Sequence, residues 1–106
     1  RSVLKTIAMP NANVSNIVKT TSAYTALDTD YTILVDGTAG AVTLTLPAAS
    51  AANVGRILII RKTDETGSIL TFSEAIKISE TTTVTTLNVN STMRIQSYGS
   101  AWYKID

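Results

Sequence analysis

Two different strand patterns follow each other in the middle of the chain. The segment AVTLTLP, which begins at Ala41, alternates apolar residues with threonine, whereas RILIIRK, which begins at Arg56, runs four apolar residues together. Successive side chains of a strand point to opposite faces of the sheet. The first segment therefore predicts a strand with one buried face, and the second predicts a strand that is covered on both faces.

The rest of the chain has the same β character. It is rich in Thr, Val and Ile, which suit strands better than helices, and turn sequences such as MPNAN, DGTAG, DETGS, NVNS and YGSA interrupt it. Turn signals at intervals of about 8–12 residues are typical of a sandwich or barrel. We therefore predict an all-β fold, an antiparallel β-sandwich that is jelly-roll-like or a partly closed barrel. The expected strands are Val3–Ala8, Tyr31–Val35, Ala41–Leu46, Arg56–Lys62, Ile69–Ser73, Thr82–Val89, Met93–Tyr98 and Trp102–Ile105.

Two connecting segments have recognisable turn chemistry. PAASAANVG, from Pro47 to Gly55, fits a helical turn, with proline at the first helical position and glycine as a left-handed stop. A small ordered loop that crosses one end of the fold fits the same residues equally well. The segment GTAG, after Asp36, is expected to form a hairpin turn, since it lacks the Lys-Ser/Thr that follows a phosphate-binding loop.

The first 23 residues have weaker alternation than the rest, with a Pro-Asn break. Two interpretations remain open, a connector or an additional edge strand, and the connector is preferred. Residues 24–106 are expected to form the β-sandwich domain. Because the chain opens on Arg1 rather than Met, we expect it to be part of a longer protein.

The ILII run raises the question of what covers it. Ile57 and Ile59 are expected on one face of the strand, and Leu58 and Ile60 on the other. Each large apolar side chain left in water forgoes about 1.5–3 kcal/mol. A sandwich buries only one face of each sheet, so a loop such as PAASAANVG or a neighbouring subunit must cover the second face. We favour the subunit.

Length and composition favour association in the same way. A single domain of 106 residues has a thin margin of stability, and the chain has no Cys for disulfides and no His for a metal site. Association of identical copies is the remaining source of additional stability. The net charge of +1 gives no reason to expect nucleic-acid binding, and Arg61 and Lys62 are interpreted as a solvated rim. The longest apolar run is far short of the roughly 20 residues that span a bilayer, so no membrane insertion is expected.

The sequence contains little that could catalyse a reaction. Without His or Cys, Ser-His and Cys-His nucleophilic sites cannot be built within this chain. Asp28 and Asp30 are the best carboxylate pair, as calcium ligands or in a hydrolase site shared between subunits, but capping of turns by Asp is favoured. The chain is therefore expected to be neither an enzyme nor a carrier of a cofactor or metal.

Three aromatic residues, Tyr98, Trp102 and Tyr103, cluster near the C-terminus. Trp102 and Tyr103 are successive residues of an expected strand, so one of them should face outward. Packing in the core or against another subunit is the favoured role. The alternative is contact with a glycan, for which the candidate residues are Tyr98, Trp102, Asn53 and Asp64.

From Tyr24 onward the sequence resembles a module that recurs in bacteriophage tail fibres, tail spikes and head fibres. The resemblance lies in the order of five segments, YTILVDGTAG, VTLTLPAAS, NVGR, ILIIRK and GSAWYKI. It implies a homotrimeric, β-rich knob domain on the virion surface, outside the cell. Similar segments also occur in prophage-derived surface proteins of bacteria.

Three functional hypotheses follow. The first is a structural virion module, the C-terminal trimeric knob of a fibre or spike, for display and attachment to a host surface. The second is a receptor tip that binds a bacterial surface glycan, or a prophage-derived bacterial adhesin, and the third is a hydrolase with its site at subunit boundaries. Partners are expected to be two identical copies, and either a glycan or other virion proteins. The candidate core or interface residues are Ile57, Leu58, Ile59, Ile60, Trp102 and Tyr103.

Overall fold

The computed structural model describes residues 14–106, which contain nine strands and one short 3-10 helix. The 3-10 helix is Ala51–Asn53. The strands are β1 Ile17–Thr20, β2 Tyr24–Thr25, β3 Thr32–Val35, β4 Val42–Thr45, β5 Ile57–Lys62, β6 Leu70–Lys77, β7 Thr83–Leu87, β8 Thr92–Ser97 and β9 Trp102–Lys104.

The all-β prediction is confirmed. The strands belong to one nearly closed, barrel-like sheet with the order β1-β3-β5-β8-β9-β6-β4-β2, and β7 pairs with β6. No α-helix occurs in the part of the chain that the structure describes. The strands β8 and β9 join the half of the sheet that contains β5 to the half that contains β6.

The prediction of antiparallel pairing is wrong for most of the sheet. Alternate strands pair in parallel, β1 with β3 and β3 with β5 in one half, and β2 with β4 and β4 with β6 in the other. The pair β6 and β9 is also parallel, and only β5–β8, β6–β7 and β8–β9 are antiparallel. The chain therefore crosses from one half of the sheet to the other between successive strands up to β6.

The turn between β3 and β4 explains much of this difference. Asp36 accepts a hydrogen bond from the backbone N–H of Thr38 at 3.0 Å, and the N–H of Gly40 donates to the carbonyl of Gly37 at 3.0 Å. The turn is as tight as the sequence indicates, but β3 and β4 do not pair with each other. The hairpin prediction was therefore wrong, because a tight turn can also carry the chain across to the opposite half.

Most predicted strands have an observed counterpart, and β3 to β9 lie where strands were expected. β6 is longer than predicted, with a register shift between Thr71 and Ile76. β1 and β2 were not predicted, and β1 lies at one end of the sheet order. The predicted strand Val3–Ala8 lies outside the described residues.

The segment from Pro47 to Gly55 combines the two interpretations left open for it. Its 3-10 helix begins after Ser50 rather than at Pro47, because the Ser50 hydroxyl and the Asn53 side chain form a reciprocal capping box. Gly55 has φ +89°, as expected for a left-handed stop. The segment is a short helical turn inside an ordered loop.

The core lies inside the curved sheet and is built from alternate residues of seven strands. On β5, Leu58 and Ile60 point inward with no exposed surface, and they lie opposite Ile95 and Met93 of β8. The other buried apolar residues are Ile33, Val35, Val42, Leu44, Leu46, Leu70, Phe72, Ile76, Leu87 and Trp102. A single chain therefore encloses a continuous apolar core.

Candidate functional site

The outer face of β1, β3, β5 and β8 carries the other half of the ILII run. Ile59 lies between Thr32 of β3 and Arg94 of β8, and Ile57 lies beside Gln96 of β8. Both isoleucines are half-buried in the single chain. The alternation predicted for this strand is therefore present, with one face in the core and one apolar face turned outward.

Basic side chains lie on the same outer face as these isoleucines. Lys19 of β1, Leu34 of β3 and Arg61 of β5 form one row across the strands, and Arg94 lies in the next row. Ile17, on the end strand, is 61% exposed. We call the outer surface of Ile17, Lys19, Leu34, Ile57, Ile59, Arg61 and Arg94 the basic face.

One buried polar atom of the basic face makes no hydrogen bond among the described residues. The Nε of Arg94 is buried and makes no hydrogen bond within residues 14–106, whereas Arg61 donates to the Oγ1 of Thr92 at 2.7 Å and to the Oδ1 of Asn90 at 2.5 Å. A buried N–H without a partner costs about 1–3 kcal/mol. An acceptor brought to this face from another molecule would remove that cost.

This arrangement limits what a neighbouring subunit has to cover. Leu58 and Ile60 need no cover from another subunit, because the same chain encloses them completely. The predicted second apolar face is thus reduced to Ile57 and Ile59. The prediction that another copy covers this face remains open for these two residues alone.

The opposite half of the sheet presents hydroxyl groups. Thr25 lies beside Thr45 in the pairing of β2 with β4, and Thr71 of β6 lies between Thr43 of β4 and Thr86 of β7. Thr43 and Thr45 are exposed, as the alternation in AVTLTLP predicts. We call the outer surface of these five residues the threonine face.

A buried ion pair closes one end of the sheet. Lys62 continues the inward series of Leu58 and Ile60, and its Nζ donates to the Oδ2 of Asp64 at 2.8 Å with both side chains almost fully buried. Asp64 also accepts hydrogen bonds from the backbone N–H of Gly37 at 2.7 Å and from the hydroxyl of Thr66. The interpretation of Lys62 as a solvated rim was therefore wrong, because the inward alternation continues one residue beyond the apolar run.

These bonds change the acidity of Asp64. The hydrogen bond from Lys62, then that from Thr66, favours the charged carboxylate and holds the pKa of Asp64 well below its ordinary value of 3.8. Asp64 is thus a charged structural residue that joins the β3–β4 turn to the β5–β6 loop. As a candidate glycan contact it is unsuitable, since it is buried.

The carboxylate pair of the sequence does not form a site. Asp30 is buried and accepts hydrogen bonds from the Tyr24 hydroxyl at 2.7 Å and the Leu27 N–H at 2.8 Å, whereas Asp28 is exposed. The turn-capping role is confirmed for Asp30. In the range 14–106, no group of three or more His, Cys, Asp or Glu side chains is placed to hold a metal ion.

The aromatic cluster divides between core and surface. Trp102 is 1% exposed, and its indole Nε1 donates to the carbonyl of Pro47 at 2.8 Å, so it belongs to the core and is closed to a glycan. Tyr103 faces outward and is half-buried, and Tyr98 is 72% exposed. The expectation that one of two successive aromatic residues faces outward is confirmed, and the outward residue is Tyr103.

The two tyrosines contact each other at this surface. Their ring centroids are 6.0 Å apart with an angle of 81° between the planes, an edge-to-face arrangement. The Tyr103 hydroxyl donates to the Oε1 of Glu80 at 3.0 Å, and this bond raises the pKa of Tyr103. The Nζ of Lys77 lies 5.6 Å from the Tyr103 ring centroid and 3.9 Å from the Glu80 carboxylate.

Asn53, the remaining candidate glycan contact, serves the local fold. Its Oδ1 accepts hydrogen bonds from the Ser50 N–H at 3.0 Å and the Ser97 hydroxyl at 2.7 Å, and its Nδ2 donates to the carbonyl of Ala48 at 3.0 Å. Of the four candidates, only Tyr98 therefore presents a large free surface. Sequence reasoning missed Lys77 and Glu80, because neither lies near Tyr98 in the chain.

Comparisons with known proteins do not assign a family. No protein-family model matches the chain, and no curated protein is significantly similar to it. Among the described residues, no helix has the length and apolar character needed to cross a membrane.

Proposed function

We propose that this chain is a structural module of a virion fibre or spike. It forms a trimeric knob that is displayed on the virion surface and attaches to a host cell. The observation that carries the proposal is the basic face, where Ile57 and Ile59 remain partly exposed around Arg94 with its unpartnered Nε. An apolar surface with an unsatisfied buried donor is suited to contact with another protein surface.

The charges of the basic face favour a ring over a two-fold dimer. A two-fold contact joins a surface to itself, so that Lys19, Arg61 and Arg94 of one copy would meet the same cations of the other. A threefold ring joins two different surfaces of each copy. The threonine face provides uncharged hydroxyl acceptors for Arg94 and has no cation among its five residues.

The chain encloses a continuous apolar core without disulfides, as a rigid structural part requires. Only 16% of its residues are charged, against about 25% in an average protein. The fibre-module resemblance of the segments from Tyr24 onward supports the same proposal. This role requires no catalytic site, cofactor, nucleic-acid partner or membrane insertion, and the proposed partners are copies of the chain, other virion proteins and the host surface.

Paired substitutions locate the contact. Ile59→Asp places a charge in the centre of the basic face, whereas Thr45→Asp places the same charge on β4, at the exposed edge of the threonine face. Light scattering at micromolar concentration should give a trimer for the unmodified chain and a monomer for Ile59→Asp. Circular dichroism then verifies that both variants are folded.

The outcome for Thr45→Asp tests the ring geometry. If the basic face of one copy contacts the threonine face of the next, the added carboxylate pairs with the arginines, and the Thr45→Asp trimer should dissociate at a lower concentration than the unmodified trimer. Dissociation at the same concentration would contradict this geometry. A folded Ile59→Asp variant with the same mass as the unmodified chain would contradict the proposed contact.

A further inference from the structure

The exposed Tyr98 ring is held in place by its surroundings. It follows β8 in a tight turn, where the Tyr98 N–H donates to the carbonyl of Ala101 at 2.9 Å. The Tyr103 ring supports it edge to face, and Tyr103 is itself held by Glu80. A large aromatic surface is thus exposed to solvent in a fixed position. A ligand that binds it would cost little side-chain entropy, because the ring is already held.

Two hollows meet at this tyrosine pair. The larger has a volume of about 480 Å³, and its walls include Val54, Gln96 and Ile105 besides the two tyrosines. The smaller, of about 290 Å³, is lined by Glu80 and the same tyrosines. Together they combine an aromatic platform and aliphatic walls with an amide, a phenol and a carboxylate.

The charges around the pair exclude some ligands. The Lys77 ammonium lies over the Tyr103 ring, in the position that a cationic ligand would take in an aromatic cage. A quaternary ammonium or a basic peptide would therefore have to displace Lys77 from this ring.

A purely apolar ligand fits the smaller hollow poorly. Glu80 is exposed and accepts a hydrogen bond from Tyr103, so an apolar group in the smaller hollow would have to desolvate its carboxylate. The ligand that matches this chemistry has one apolar face and a rim of hydroxyl groups.

We propose that Tyr98 and Tyr103 form the floor of a saccharide-binding site. The C–H face of a pyranose stacks on the Tyr98 ring, and its hydroxyls reach Glu80 on one side and Gln96 on the other. This inference rests on the attachment role proposed above and assigns it a ligand class, since pyranoses are exposed on cell-surface glycans.

The test uses defined sugars and the intact chain. Methyl glycosides of glucose, galactose, mannose and N-acetylglucosamine are titrated against the protein by saturation-transfer difference NMR. At least one should bind with a dissociation constant of about 1 mM, corresponding to roughly 4 kcal/mol, with saturation transferred mainly to its ring C–H protons.

Three variants separate stacking from other causes. Tyr98→Ala should weaken binding at least tenfold, and Tyr98→Phe should retain it within about threefold because the ring remains. Val89→Ala removes an exposed apolar side chain beyond the other end of β8 and should change nothing. Fluorescence of the buried Trp102 verifies that each variant is folded.

The possible results distinguish this site from the proposed assembly. No binding by any sugar, equal binding by Tyr98→Ala, or equal loss in Tyr98→Phe overturns the site. A Tyr98→Ala variant that dissociates the trimer also overturns it, because the tyrosine would then belong to the subunit contact. A monomer that binds sugar through Tyr98 supports the saccharide site and contradicts the trimeric knob. A trimer that binds no sugar supports the trimeric knob and contradicts the saccharide site.

Discussion

Lys62 and Asp64 form a buried ion pair at one end of the sheet, with Nζ and Oδ2 2.8 Å apart and both side chains almost completely buried. Asp64 also accepts hydrogen bonds from the β3–β4 turn at Gly37 and from the β5–β6 loop at Thr66. One carboxylate thus fixes the relative positions of two connections. Both connections carry the chain across the sheet from one half to the other.

Removing the carboxylate should therefore destabilise the fold strongly. Asp64→Asn leaves the Lys62 ammonium buried without its counter-charge, and we expect the melting temperature to fall by roughly 10 °C or more. Lys62→Met should cost less, because Asp64 keeps its donors from Gly37 and Thr66. Thermal unfolding followed by circular dichroism checks this order, and a larger loss for Lys62→Met would contradict it.

Stability should also depend on Asp64 in acid. Because its pKa is lowered in the folded state, the contribution of Asp64 to stability is fully present above its ordinary value of 3.8 and is lost as the pH falls below it. The difference in urea midpoint between the unmodified chain and Asp64→Asn should narrow between pH 7 and pH 3. The pKa of Asp36 is also lowered, by its hydrogen bonds with Thr38, so the stability of both proteins should still fall somewhat in acid. A difference that stays constant over this range would refute the role of the ion pair.

The two faces of β5 should respond differently to truncation. Leu58→Ala opens a cavity in the core and should reduce the free energy of unfolding by about 2–5 kcal/mol. Ile57→Ala removes an outer side chain that its own chain only half buries, and it should cost the dissociated monomer about 1 kcal/mol. Urea unfolding monitored by the single Trp102 measures both, and similar costs for the two variants would be inconsistent with the alternation described for this strand.

A glycine beside the tyrosine pair is required for its backbone conformation. Gly99 has φ +97°, and a Cβ there would lie 2.8 Å from the Cγ2 of Val54. Gly99→Ala should therefore cost about 1–3 kcal/mol. Gly67→Ala is the matched control, because nothing lies within 4 Å of its Cβ position, and its effect should stay within about 0.5 kcal/mol. Equal unfolding midpoints for the two variants would count against the described turn.

The sequence predicts the strands better than their arrangement. The alternation of Val42, Leu44 and Leu46 with threonine directly reports a one-sided strand. Parallel pairing of alternate strands is not visible in the same way, because DGTAG has the composition of a hairpin turn whether or not the strands on either side pair. Ile17–Thr20 was missed because its apolar residues are few and its place at the end of the sheet leaves Ile17 exposed.

The candidate site was predictable only in part. Tyr98 stood out as an aromatic residue at a Gly-Ser turn, but Lys77 and Glu80 reach Tyr103 through the pairing of β6 with β9, which the sequence does not reveal. The burial of Lys62 could have been found, since a period of two places it on the side of Leu58 and Ile60. The apolar run does not show which face of β5 its own chain covers, because both faces carry large apolar residues.

The mass of the unmodified chain in solution tests the central proposal most directly. Sedimentation equilibrium at micromolar concentrations should give about 34 kDa, three times the 11.3 kDa of one chain. Dilution should then lower the average mass together with the melting temperature. A constant 11.3 kDa species at all concentrations would mean that the basic face needs no second copy, and it would contradict the trimeric knob.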